Sequence, residues 1–213
     1  VGSVTVMADA IDIGALRTGT TGTIQGKASI ALGSALVGSN LTVETDLDGA
    51  AGDISLGTTG ASSIVADGRI TINSTFGAVN RAAGATGLTL RSNADDVGTD
   101  ALSLTANDAV ALGNARLDGG PVPSAAVTVR STTGNLDIGP AKANRFTGTA
   151  LAGTFTSTGT ITADNSAAGA GNAILIDAGN IALATARTQG ADQDIRLTTT
   201  GAVDAAEITA SRN

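Results

Sequence analysis

The residues best equipped for chemistry in this chain are acidic. Glu44, Asp46, Asp48 and Asp53 fall together in the stretch ETDLDGAAGD. An Asp-x-Asp-Gly run with a later carboxylate offers the hard oxygen ligands that Ca²⁺ takes. The spacing falls short of a full Asp-x-Asp-x-Asp-Gly…Glu loop. The plainer reading is a solvated acidic turn in which Asp and Gly serve turn geometry. Asp95, Asp96 and Asp100 in NADDVGTD form a second such turn. Asp118-Gly119-Gly120 is a local turn before Pro121, not the nonapeptide calcium repeat. No metal, cofactor-binding or catalytic residue is assigned on this basis. Calcium at Asp46, Asp48 and Asp53 is a question for a chelator.

Catalysis would need other groups. Asp12, Asp137, Arg130 and Arg196 project outward from short strands by periodicity, and such residues can serve a polysaccharide-cleaving site as acid, base and clamp. A solvated polar face explains them more simply, because a fold by itself carries no activity. Residue types that are missing narrow the field further. Cys, His, Trp and Tyr are absent, and Phe76, Phe146 and Phe155 are the only aromatics. Cys/His nucleophilic pairs, Ser-His-Asp triads and Cys- or His-ligated zinc or iron sites are therefore excluded. Platforms that stack sugars or bases are disfavoured. The expectation is a non-enzymatic protein without cofactors.

Charge says little about partners. The 213 residues carry 12 basic and 19 acidic side chains, net −7, and they are scattered rather than blocked. No basic cluster offers a nucleic-acid footprint. No stretch approaches 18 apolar residues, so neither nucleic acid nor membrane insertion is expected. The chain opens Val1-Gly2-Ser3-Val4 with no basic leader, which reads as a fragment excised from a longer protein. Zero Cys fits a reduced cytosol or a surface protein without disulfides.

The elements that must position these groups come from internal repeats. Apolar-x-apolar triplets recur throughout, from Val4-Thr5-Val6 and Ile11-Asp12-Ile13 to Ile181-Ala182-Leu183 and Ile195-Arg196-Leu197. Period 2 puts the outer pair on one face of a strand and turns the middle residue away. The triplets come in pairs about seven residues apart, followed by a looser Gly/Ala/Thr-rich segment. First strands placed at residues 4, 24, 41, 64, 88, 102, 127, 155, 174 and 195 give a mean repeat of roughly 21 residues, a solenoid period. The steps are most uneven near Leu88 and Phe155. Thr-rich faces raise ice binding, which wants flat aligned Thr-x-Thr rows, but only Thr160-Ile161-Thr162 and short runs such as Thr198–Thr200 qualify, without regular spacing.

A corner closes several second strands as apolar-x-apolar-Gly-x-small, at Gly14, Gly33, Gly57, Gly113 and Gly139. Gly enters positive φ without steric cost. Asn73 takes the same place after Ile70-Thr71-Ile72, as the next most tolerant residue. Gly, Thr and Asn at this density break any helix that the 40 Ala residues would favour. One coil cannot bury its apolar pair, whereas stacked coils align them into a narrow core. The expected fold over 1–213 is all-β: a single-stranded parallel β-helix (β-solenoid) of about ten coils of roughly 21 residues. Right-handed winding follows from the preference of parallel crossovers.

The paired strands and the Gly corner resemble the shaft repeats of filamentous-haemagglutinin-like exoproteins, large bacterial surface adhesins exported by two-partner secretion. The resemblance spans essentially the whole chain and is best at 4–63 and 102–142. The amino-terminal secretion domain and its Asn-Pro-Asn-Gly signature are not present, as a shaft segment would have it. The resemblance implies an extracellular or cell-surface fibrous adhesin segment, non-catalytic, whose partners are neighbouring solenoid segments or copies of itself, with a host-cell or glycan target left open. The alternatives are a fibre subunit that stacks end to end and a carbohydrate-active β-helix enzyme.

Overall fold

The computed structural model describes residues 2–45, 49, 51–95, 101–120, 125–164, 171–189 and 192–211. Among them there is no helix, and every strand pairing is parallel. The pairings fall into three columns of nine levels each. The first runs Val6–Ile24–Val43–Ile72–Leu104–Val129–Gly148–Ile176–Leu197. The second runs Ile11–Ile30–Ile54–Val79–Val110–Leu136–Phe155–Ile181–Val203. The third runs Leu16–Ala35–Ile64–Leu90–Leu117–Ala141–Ile161–Ala186–Ile208.

Each level contributes one strand position to each column, and the chain then advances to the next level. The alternation of buried and exposed residues marks where it bends. In Gly22–Val37 the alternation holds over Gly22–Gly26, fails over Lys27, Ala28 and Ser29, and resumes at Ile30. The inward residues of all three columns form one apolar cluster, in which Ile24, Leu32, Val43, Ile54, Leu104 and Val129 are fully buried. Adding layers is what buries them, since a strand pair alone leaves half its apolar surface in water.

Three expectations are corrected by the register. Ile64 and Leu88–Leu90 belong to the third column, and Phe155 to the second, so none of them opens a repeat. The repeat openers missed in the sequence are Ile70 and Phe146. From Val4 to Ile195 the first column makes eight advances, so there are nine levels and about 24 residues per level. The third column was expected to be loose connection. Its inward positions mix Ala35, Ala141 and Ala186 with Ile64, Leu90, Leu117 and Ile161, so a strand such as Leu88-Thr89-Leu90 reads in the sequence as the opening of a repeat.

Two kinds of glycine turn the corners. Gly57 and Gly113 hold φ of +91° and +58°, the left-handed region expected of them. Gly33 and Gly139 do not. A Cβ on Gly33 would collide with the Gly14 carbonyl of the preceding level, and one on Gly139 with the Asn114–Ala115 peptide. There glycine is required by close approach between levels rather than by φ. Asn73 is no corner at all. It lies within the strand Ile70–Ser74, paired with Glu44 and Thr105.

Candidate functional site

Side chains that looked free for chemistry in the sequence are partly consumed in joining levels. Asp53 Oδ1 accepts the backbone N–H of Ala78 at 2.8 Å. The same device recurs where Asn40 accepts from Arg69 at 2.8 Å, Asn135 from Thr154 at 2.9 Å and Asn180 from Ala202 at 3.0 Å. In each case the Asx residue and its donor stand one position before paired inward residues of successive levels: Leu41 and Ile70, Ile54 and Val79, Leu136 and Phe155, Ile181 and Val203. Asp53 is thus the acidic member of an Asx series, with one carboxylate oxygen already committed. Glu44 accepts from Gln25 Nε2 at 3.2 Å, again between neighbouring levels. Asp46, Asp48, Asp96 and Asp100 lie outside the described residues.

Buried hydroxyls do parallel work at the turns after the first column. Ser74 Oγ donates to the Gly52 carbonyl at 2.7 Å and accepts the Gly77 N–H at 3.1 Å. Ser131 repeats this between the Asp108 carbonyl and the Gly134 N–H, as Thr199 does between Gly179 and Gly201. A Ser/Thr followed two or three residues later by Gly is a signal that sequence reading could have used.

The four residues weighed for catalysis are not brought together. Asp12 and Asp137 occupy the outward row of the second column at the first and sixth levels, about 24 Å apart at roughly 4.8 Å per level. Arg130 and Arg196 belong to the first column at the sixth and ninth levels, exposed beside Thr149 and Leu175. Asp118 Oδ1 accepts the Gly120 N–H at 3.0 Å and Oδ2 meets Arg116 at 3.1 Å, which makes that segment the local turn expected.

Asp137 has a perturbed carboxyl. Burial raises its pKa from the ordinary aspartate value, and the Arg81 guanidinium opposes that rise. Its Oδ1 is shielded from solvent and has no hydrogen-bond partner. Arg81 instead donates to Asn114 Oδ1. A carboxyl with raised affinity for its proton is a potential general acid, but no second acid or base faces it here among the groups named above.

Two open grooves lie on the described surface. One groove of about 320 Å³ is lined by Arg116, Pro140, Lys142, Thr160, Thr162 and Gln189. Another of about 340 Å³ runs along Ile11, Asp12, Ile30 and Asp53. The within-strand threonine pairs form no array. Thr162 is flanked by Lys142 and Arg187, and Thr198 by Asp177.

An array does exist across levels. The outward row of the first column reads Thr5–Thr23–Thr42–Thr71–Ser103–Thr128–Thr147 before it ends at Leu175 and Arg196. Seven consecutive levels present a hydroxyl at the same position. No sequence scan at a fixed period finds this row, because the advances between levels are unequal. No family model matches the chain, and neither a curated protein nor a solved structure matches it.

Proposed function

We propose that the chain is a right-handed β-solenoid that serves as a shaft segment of a secreted or cell-surface bacterial fibrous adhesin. The observation that carries this reading is the identical three-column layout at both ends of the stack. Val4–Thr18 pairs only with the level after it, and Gln193–Thr199 and Val203–Thr209 only with the level before. Each end therefore offers three strand edges with unpaired backbone groups, in register for a further level. Side chains at both ends support the same reading. Val4, Val6 and Ile13 are only partly buried, as are Ile195 and Leu197, while Val203 and Ile208 are 47% and 46% exposed.

Such a rod supplies reach without chemistry. Nine levels at about 4.8 Å make a length of roughly 40 Å, and the absence of Trp and Tyr suits its slim interior. Antibodies raised against the folded segment test the location: they should label intact producing cells without permeabilisation. Failure to label intact cells, with labelling after lysis, overturns it. Small-angle scattering tests the fold, since a rod and a closed barrel of this mass differ in their longest dimension.

The exposed end levels favour a second reading, a fibre subunit that stacks end to end. It expects concentration-dependent oligomers in sedimentation, and a monomer at all concentrations rejects it.

A further inference from the structure

We propose that Asp12 and Asp204 form a charge gate that opposes head-to-tail stacking of a second copy of this chain. The inference rests on the end-to-end geometry of the second reading and names what limits it. Continuing the three columns by one level brings the last level of one copy against the first level of the next. Ile195 and Leu197 then meet Val4 and Val6, and Val203 meets Ile11, so apolar residues face apolar ones across the unpaired edges. A slip of one residue in any column would turn its apolar side chains to solvent, and three columns must align at once. That fixes the register of the join.

In this register Asp12 stands directly beside Asp204. Both belong to the outward row of the second column, Asp12 next to Ala31 at the first level and Asp204 next to Ala182 at the ninth. Both are exposed, and one level of separation is about 4.8 Å. Like charges directly opposite each other destabilise a strand pair. The separation also lies well inside the Debye length of about 10 Å at 0.1 M salt. Neighbouring cations are engaged elsewhere. Lys27 pairs with Asp9 at 3.4 Å, and Arg17 lies one column on, where it would meet Thr209 beside the Arg187–Glu207 pair.

The interior of the stack avoids such a contact. Among the described pairings, no two carboxylates and no two cations stand side by side on neighbouring levels. Where charged residues do pair directly the signs alternate, as along Arg91–Asp118–Lys142 in the third column. Asp137 shares the outward row of Asp12 and Asp204, but it sits between Ala111 and Thr156. A join between two copies breaks this pattern. Like-charge juxtaposition suppresses association with a wrong partner. A following level with a neutral or basic residue in this row meets no such opposition, so each end discriminates between a continuing shaft and a second copy.

Sedimentation velocity at neutral pH and low salt tests the gate on the parent, Asp12→Lys, Asp204→Lys and the double variant. Each single variant sets opposite charges across the join, and should associate at concentrations about tenfold or more below those the parent needs. The double variant restores like charges and should return to the parent's behaviour, although its net charge is altered most. Salt at about 1 M, with a Debye length of about 3 Å, should narrow the differences. Both positions are exposed, so the variants should fold, and melting curves check this. A double variant that associates as readily as the single ones overturns the gate in favour of a net-charge effect. Equal association by the parent and the single variants overturns the gate but leaves end-to-end stacking standing. Four chains that all stay monomeric overturn the gate and the stacking reading together. A monomeric parent whose single variants associate supports the gate and rejects the fibre subunit.

Discussion

The rings of Phe146 and Phe155 meet edge to face inside the stack, with centroids 6.0 Å apart and planes at 78°. Both are fully buried and both belong to the seventh level, one in each of the first two columns. Two large rings in one narrow layer leave little room for anything else. The second inward residue of each strand is accordingly small: Gly148 after Phe146 and Ser157 after Phe155. Neighbouring levels put Val129 and Ile176 where Gly148 stands.

Gly148→Ala should therefore destabilise the chain by about 1–3 kcal/mol through overpacking, because its Cβ would run into the Phe155 ring. Adding Phe155→Leu should recover part of that loss, while Phe155→Leu alone is destabilising. Urea denaturation of the four species measures the coupling. Simple additivity of the two substitutions would show that the ring is not what excludes a side chain at 148.

Asp53 serves as an acceptor for Ala78 in the same way as Asn40, Asn135 and Asn180 serve theirs. Asp53→Asn should leave stability near the parent value. Asp53→Ala should lose about 1–2 kcal/mol by orphaning the Ala78 N–H. Melting with calcium and with chelator separates this role from a cation site. A calcium-dependent midpoint that Asp53→Asn abolishes would assign the carboxylate to a metal instead.

Asp137 makes stability depend on pH in the reverse of the usual aspartate sense. Its folded pKa is raised, first by burial and against the pull of Arg81. The folded state therefore binds the proton more tightly than the unfolded chain does. The charged form costs stability above the folded pKa, and that cost disappears as pH falls below the ordinary aspartate value. Asp137→Asn should raise the melting temperature at neutral pH and converge with the parent in acid. A lower melting temperature at neutral pH would mean that attraction to Arg81 outweighs desolvation.

Gly57 and Gly139 should respond differently to the same pair of substitutions. At Gly57 the cost lies in φ of +91°, and the nearest atom to an added Cβ is the Ala85 methyl at 3.4 Å. Asn tolerates that backbone better than Ala, so Gly57→Asn should be milder than Gly57→Ala, which costs about 1–2 kcal/mol. At Gly139 the obstacle is the peptide of the preceding level, so Asn gives no relief over Ala. Thermal melts of the four variants check the contrast; equal losses for Asn and Ala at both positions would reject it.

Much of the architecture is written locally. Apolar-x-apolar triplets with period 2, glycine after them and no helical stripe are enough to specify parallel-stacked short strands. The reason is physical: each strand can bury one face only against its equivalents. First-column strands such as Val4-Thr5-Val6 and Leu102-Ser103-Leu104, and second-column strands such as Ile54-Ser55-Leu56, were legible because both inward positions carry large side chains. Packing volume hid the rest. Phe146 and Phe155 broke the triplet rule by requiring Gly148 and Ser157, and the third column mixes Ala35, Ala141 and Ala186 with Ile64 and Leu90, whose strands look like first-column ones. The repeat boundaries therefore slipped at Ile64, Leu88 and Phe155.

The acidic turn and the threonines show the other division. The residue types at Asp53 and along ETDLDGAAGD suggested a ligand set, but a backbone N–H twenty-five residues away holds one carboxylate oxygen. The aligned hydroxyls from Thr5 to Thr147 were invisible to a scan along the chain. Unequal advances, such as 22 to 41 and 41 to 70, place them in line only once the levels are stacked. By itself the sequence determined what faces inward on each strand, since alternation is a local property of extended backbone. Only the tertiary structure decided which strands share a column, because that depends on how the volumes within each level fill a common core.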